Sequence, residues 1–421
     1  MEAYYMQKKR SFSRPSFSAR PKRFGNRSGS GSGNRNGNGS SKGRSASGSR
    51  RGRGVRIDPA KFVNKAVMVS EATRPETECK FNDFELNSQL KHQIENRGYT
   101  IATTVQSQTI PHILAGKDVV GIADTGTGKT AAFLIPLINK AMADKRYKVL
   151  IVAPTRELAV QINQELKDLS RGLHIYSACC VGGANISRQI YELRQDTSFI
   201  IGTPGRLKDL SERNRFQLSK FSAVVLDEAD RMLDMGFITD IRAMLDKTPK
   251  TRQTLFFSAT LSYEIEKLVG EFLREPERVF LKTRDTSKNV EQDVVRIGNG
   301  KSKIEALQDL LSKKEFEKVL IFGRTKYGVE HLYETLSKRG FRAESIHGNK
   351  NFSKRQRALE LFKTNRVNIL VATDVAARGL DIADITHVIN FDVPETYDDY
   401  IHRIGRTGRG NKFGKALTFI D

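Results

Sequence analysis

The segment Ala123-Asp124-Thr125-Gly126-Thr127-Gly128-Lys129-Thr130 stands between a short apolar run and a helical pattern. Glycines in such a place let backbone N–H groups close on phosphate oxygens, and the N-terminus of the following helix adds its dipole. Thr125, Gly126, Thr127 and Gly128 would form the cradle. Lys129 would reach the β- and γ-phosphates, and the Thr130 hydroxyl would ligate Mg2+. Ala123 stands where the strict pattern has glycine. A second set, Asp227-Glu228-Ala229-Asp230, closes the β-branched run Ala223–Leu226. A carboxylate at the end of a strand beside a phosphate loop can hold the hydration shell of Mg2+, and its neighbour can polarise water. Asp227 is therefore assigned to Mg2+, and Glu228 to activating the water that attacks the terminal phosphate.

These groups need a scaffold, and the chain has the texture of one. Short apolar runs at Asp118–Ile122, Val149–Ala153, Phe199–Gly202, Ala223–Leu226 and Thr254–Phe257 alternate with helical stretches such as Lys129–Ala143 and Arg156–Leu169. The pattern restarts at Val294–Ile297, Val319–Phe322, Ala343–Ile346, Ile369–Ala372, His387–Asn390 and Ala416–Ile420. Apolar runs between amphipathic helices predict parallel sheets covered on both faces. Two tandem α/β domains follow, over 81–283 and 293–421, joined by a linker at 284–292 within the polar segment Lys282–Gln292. Only the first domain carries a phosphate loop, so one nucleotide site is expected.

Ahead of them lies a different kind of sequence. Residues 1–56 hold 15 Lys and Arg against the single acid Glu2, a net +14 of the chain's +23. From Gly25 to Gly54, 18 of 30 residues are Gly or Ser, too few apolar groups to offset the entropy of ordering. Residues 1–56 are read as a disordered basic tail, and Asp58-Pro59 as the N-cap and first residue of a short helix to about Val67 within 57–80. Aromatics among the cations, Tyr4, Tyr5, Phe12, Phe17 and Phe24, suit base stacking beside phosphate pairing. Excess positive charge in both parts points to nucleic acid. An Arg/Ser-rich start is also the composition of an organelle transit peptide. Three cysteines without a C-x-x-C pair speak against a zinc or disulfide framework and for a reducing, cytoplasmic setting. With no run of 18 apolar residues, a membrane-spanning helix is excluded.

With Asp227-Glu228-Ala229-Asp230 beside that phosphate loop, residues 81 to 421 closely resemble the DEAD-box ATP-dependent RNA helicases, and within them a bacterial subgroup. The texture around Phe322-Gly323-Arg324-Thr325 and His347-Gly348-Asn349-Lys350 carries the latter likeness. The resemblance implies two RecA-like domains that close together over ATP and single-stranded RNA. Phe81, Tyr99 and Gln106 match the family's adenine-reading motif, with Ala102 and Thr104 in place of its two prolines; a Gln amide can pair with adenine N6 and N7. Pro154, Thr155, Arg156, Gly183, Thr203, Pro204, Gly205 and Arg206 would line the RNA groove by backbone contacts, which carry no sequence code. Gly348, Thr373 and Arg403 would extend that groove on the second domain. Arg406 and Arg409 would act as arginine fingers, and Asp381 would touch the ribose. Asp230, Ser258, Thr260 and His402 would couple the ATP and RNA sites, with the hydroxyls of Ser258 and Thr260 bridging to Asp230. Phe352 stands where the family has Gln, which removes one polar link on the RNA side, while Arg355 keeps its place.

The reading is a monomeric ATP- and Mg2+-dependent RNA helicase that hydrolyses ATP on RNA and separates short duplexes or remodels RNA–protein complexes. The basic tail would address the enzyme to a ribosome, to an RNA-decay complex or to nothing specific. A DNA-translocating helicase of the same superfamily and a tail-driven RNA annealing protein are the competing readings.

Overall fold

The computed structural model describes residues 58, 62–64, 79–124, 126–281, 289–298, 300–377, 382–408 and 412–420. The tail expected over 1–56, and Thr125, Asp381 and Arg409, lie outside the described residues.

Seven strands form the first sheet: β1 (Val119–Ile122), β2 (Val149–Val152), β3 (Ser177–Cys180), β4 (Phe199–Gly202), β5 (Ala223–Leu226), β6 (Gln253–Ser258) and β7 (Glu277–Phe280). Their order is β3-β4-β2-β5-β6-β1-β7, with every pair parallel. The second sheet contains β8 (Val290–Arg296), β9 (Val319–Phe322), β10 (Ala343–Ile346), β11 (Ile369–Ala372), β12 (His387–Asn390) and β13 (Gly414–Ile420). It runs β10-β11-β9-β12-β13-β8, again parallel throughout. The expected pair of parallel-sheet α/β domains is what the chain forms.

Successive side chains of a strand point to opposite faces, so a strand covered on both faces must be apolar at every position. Val119, Ile151, Val225 and Phe257 enter one core of the first domain, whereas their neighbours Val120, Leu150, Val224 and Phe256 enter the other. The second sheet repeats this: Val319 and Ile321 face one core, Leu320 and Phe322 the other. The covering helices follow their own period. In Arg156–Leu169, buried Leu158, Ala159, Ile162, Leu166 and Leu169 form one stripe. Thr155 caps that helix by accepting from Leu158 N at 3.2 Å, a contact worth about 1 kcal/mol.

Three expectations change. The edge strands β3 and β7 were missing from the sequence reading, because Ser177–Cys180 and Glu277–Phe280 carry the polar residues that a sheet edge tolerates. The strand expected at Val294–Ile297 spans Val290–Arg296. Residues 290–292 therefore belong to the second sheet, not to the linker 284–292. The helix expected from Asp58 to Val67 is not continuous: Asn64 is extended and forms an antiparallel bridge with Gln292.

Candidate functional site

In a wholly parallel sheet the loops leaving the carboxyl ends of the strands share one edge. In the first domain those loops follow β1, β2, β4, β5 and β6, and they carry the phosphate loop, Thr155, Thr203, Asp227 and Ala259. The phosphate loop ends at Gly128, which caps the helix Lys129–Ala143 with φ 94°. A Cβ there would stand 2.6 Å from Gln106 Nε2, so both backbone angle and space require glycine. Lys129 is 7% exposed, and its ammonium donates to the Ala123 carbonyl at 2.7 Å. The Thr127 hydroxyl donates to Asp124 O at 2.8 Å, closing the loop on itself.

Asp227 lies at the end of β5, 2% exposed. Burial pushes its carboxyl up to about 7, against the pull of the Lys129 ammonium. Its Oδ1 accepts from Glu228 N at 3.0 Å. Glu228 occupies the left-handed region at φ 51°, ψ 52°, a conformation costly for a side chain with a Cβ and typical of functional positions. The Glu228 carboxylate accepts from Arg231 Nη1 at 2.8 Å, and both side chains are buried. A carboxyl group at the strand end and a threonine hydroxyl in the same loop system are oxygen donors that suit a divalent cation held mainly by water and phosphate. Among the described residues no cluster of three His, Cys, Asp or Glu side chains offers an all-protein cage.

Around this centre the amide of Gln106 makes two backbone hydrogen bonds. Its Oε1 accepts from Thr103 N at 2.8 Å and its Nε2 donates to Gly128 O at 3.1 Å. Gln106 thus ties the helix Thr104–Leu114 to the end of the phosphate loop. Phe81 stacks on Tyr99 with ring centroids 6.0 Å apart. Asp230 Oδ2 accepts from Ala259 N and Thr260 N, each at 3.1 Å, and from Thr260 Oγ1 at 3.2 Å. The expected bridge from the Ser258 hydroxyl is absent, for that oxygen is buried with no hydrogen-bond partner. Ser258 is the fully buried last residue of β6, and the two residues beyond the strand make the link.

The rim beyond carries the other predicted groups. Arg156 lies across Gly182 and Gly183; a Cβ on Gly183 would meet Arg156 Nη1 at 2.5 Å. Burial and the nearby Arg355 lower the pKa of Arg156. Pro154 and Pro204 are buried, Gly205 exposed, and Arg206 Nη1 donates to Gln189 Oε1 at 3.0 Å. On the second domain Gly348 is exposed beside the Lys326 stem, and Thr373 is buried at the end of β11. Arg406 is 4% exposed, and its Nε donates to the His402 carbonyl at 3.3 Å. The helix Phe352–Lys363 then reaches the first domain. Arg355 Nε donates to Glu157 Oε1 at 2.8 Å, and its Nη2 contacts the same oxygen.

The DEAD/DEAH box helicase family model matches residues 103–268, and the helicase conserved C-terminal domain matches 302–411. A DEAD-box ATP-dependent RNA helicase CshA of Bacillus subtilis is 46% identical over 342 residues, covering 81% of this chain and 69% of the relative. An ATP-dependent RNA helicase CshA of Limosilactobacillus reuteri is 45% identical over 343 residues, with the same coverage. The chain belongs to the DEAD-box ATP-dependent RNA helicases. Among solved structures, Mss116 bound to single-stranded RNA and UDP-BeF is 32% identical, covers 82% of this chain and 76% of its own, and has a TM-score of 0.73. S. cerevisiae Dbp5 bound to RNA and ADP BeF3 gives 28% identity, 81% and 89% coverage and a TM-score of 0.72.

Within this helicase one predicted RNA contact is reassigned. The Arg403 guanidinium is 3% exposed and donates from Nε and Nη2 to the two Asp374 oxygens at 2.6 and 2.8 Å. Its Nη1 bonds Asn390 Oδ1 and Asp392 O, and the group lies over the Phe322 ring. Arg403 is a brace of the second domain; its donors are spent on protein, leaving a phosphate little to bind. Phe352 also differs from expectation. Beyond removing a polar link, it packs against the apolar core of the first domain. Two groups gained roles that sequence reasoning had not assigned: Arg231, which holds Glu228, and Glu157, which holds Arg355. Arg231 stands between Asp230 and Asp234 in a six-residue helix, and Glu157 follows Arg156 in a largely polar one, so nothing local in the sequence signalled that either would be buried in an ion pair.

Proposed function

We propose that this ATP-dependent RNA helicase hydrolyses ATP on single-stranded RNA and separates short duplexes by clamping one strand between its domains. The observation that carries the reading is Glu228, held by Arg231 on a strained backbone one residue after Asp227 and on the same sheet edge as the phosphate loop. That placement suits orienting a water against a terminal phosphate. The Lys129 ammonium, now on the Ala123 carbonyl, would turn to the β- and γ-phosphates. Phe81, Tyr99 and Gln106 would set the adenine side, Asp381 the ribose side, with Gln106 reporting to the loop through Gly128. Thr130 and Asp227 would hold Mg2+, which neutralises phosphate charge when bound. Arg406 and Arg409 would approach the γ-phosphate from the second domain.

The RNA side would be read by Pro154, Thr155, Arg156, Gly183, Thr203, Pro204, Gly205, Arg206, Gly348 and Thr373 through phosphates and sugars, so target sequence is not encoded there. Asp230 with Thr260, and His402, would carry the ATP state to that rim. ATP and RNA each favour the closed pair, so each tightens the other. The domains would be 81–283 and a second domain to 421, and the enzyme would act as a cytoplasmic monomer, addressed by its tail to ribosomal or RNA-decay complexes. No helix among the described residues is long and apolar enough to cross a membrane.

The test is ATP turnover with and without single-stranded RNA or DNA. RNA alone should stimulate it. Glu228→Gln should lower the stimulated rate by at least about 10²-fold, and Arg406→Ala by about 10³-fold, with ATP binding retained. Turnover indifferent to RNA, or equally stimulated by DNA, overturns the reading.

A further inference from the structure

β8 is an edge strand of the second sheet, with β13 on one side only. An edge presents a row of unpaired N–H and C=O groups that invites another strand. The chain itself pairs one residue with that edge. Asn64 N donates to Gln292 O at 3.0 Å and Gln292 N donates back to Asn64 O at 2.8 Å, the reciprocal pattern of an antiparallel pair. Just ahead of this bridge, Phe62 sits in a 3-10 turn and is 1% exposed, whereas Val63 is 53% exposed.

Phe62 enters a small core with Val290, Tyr400, Ile404 and Ala416. Its ring centroid is 4.7 Å from that of Tyr400, whose hydroxyl donates to the buried Gln292 Oε1 at 2.9 Å. Tyr400 and Ile404 belong to the helix Tyr397–Ile404, which also bears His402 and Arg403 and leads directly into Arg406. The family models begin only at residue 103, so they do not account for this contact. Downstream, Cys79 and Lys80 are bound to the first domain through Ala102 and Ile101. Residues 65–78 thus join an anchor on the second domain to one on the first, over a contour of at most about 50 Å.

We propose that residues 62–64 dock in cis on the β8 edge at Gln292 and seat the helix leading to Arg406, making Phe62 a positioning residue for ATP hydrolysis. Fully burying a Phe side chain contributes on the order of a leucine-sized core contact, and here that burial lies directly against the arginine-bearing helix. The rate part of this inference rests on the role proposed above for Arg406.

The experiment is amide hydrogen exchange of the full chain, read at Gln292 and over Tyr397–Ile404, paired with RNA-stimulated ATP turnover. In Phe62→Glu, protection at Gln292 should fall at least about tenfold and kcat about tenfold, with KM for ATP little changed and Phe62→Leu restoring most of both. If the β9 amides of Phe62→Glu also lose protection, Asn64→Pro, which removes one donor of the pair, decides on the same two readouts. Equal exchange at Gln292 in the native and variant chains shows that the segment is not docked and overturns the proposal. Lost protection with unchanged kcat overturns the positioning role. A kcat that survives Arg406→Ala sinks the arginine assignment instead, which separates the two failures.

Discussion

His387 shows how a single buried residue sets a pH limit on this enzyme. Its ring stacks on Phe316 with centroids 4.0 Å apart, and Nε2 is buried without a partner. Burial pulls the imidazole down to about 4, against the pull of Glu315 in the other direction. In the unfolded chain the same group titrates near its ordinary value of about 6.5. Between those values the unfolded state binds the extra proton, so stability is full above about 6.5 and falls as pH drops toward 4. The expected loss between pH 7 and pH 5 is about 2 kcal/mol. Urea unfolding at both pH values should show it in the native chain and not in His387→Gln; equal slopes would mean that this ring does not carry the effect. Glu228 illustrates another use of burial, since Arg231 holds its side chain in one orientation at 2.8 Å.

At the scale of elements, the helix Phe352–Lys363 of the second domain also touches the first. It places Arg355 on Glu157 and Phe352 against the first domain's core. Removing one partner of a buried ion pair strands the other charge and costs about 3–5 kcal/mol, whereas an apolar pair of similar size is often tolerated. Glu157→Gln or Arg355→Gln should therefore lower RNA-stimulated kcat/KM by about 10²-fold or more. The double variant Glu157→Met with Arg355→Met should cost less than either single change. A double variant as poor as the sum of the singles would show that the pair does not act as a unit. The elements themselves were readable because fully buried strands are apolar throughout. β3, β7 and the true start of β8 were not, because edge strands accept polar residues and their partners are distant in sequence.

For the whole molecule, charge is distributed in two parts, with +14 on residues 1–56 and +9 on the rest. Binding that neutralises phosphates weakens with salt in proportion to the number neutralised. Deleting residues 1–56, which spares Phe62, should leave RNA-stimulated ATP turnover intact. It should weaken RNA binding and flatten the slope of log affinity against log salt by about two units or more. Filter binding from low to moderate salt measures this directly. Loss of all duplex-separating activity on that deletion would favour the tail-driven annealing reading over the clamp.

The sequence alone determined the class of the fold, the phosphate loop, the Asp227-Glu228 pair and the family, because these are local: a strand, its next few residues and a helix start lie within one short window. It also placed Asp230 with the segment after β6, although it chose the Ser258 hydroxyl as well as Thr260. Tertiary structure decided which groups are spent and which remain available. Arg403 reads as a phosphate ligand in the string and becomes a brace once Asp374, Asn390 and Asp392 surround it. Phe352 reads as a lost hydrogen bond and becomes a packing contact on the other domain. Phe62 reads as part of a leading helix and becomes a wedge under the helix that leads to Arg406. In each case the deciding partner is far along the chain, and hydrogen bonding and burial are settled by proximity in space.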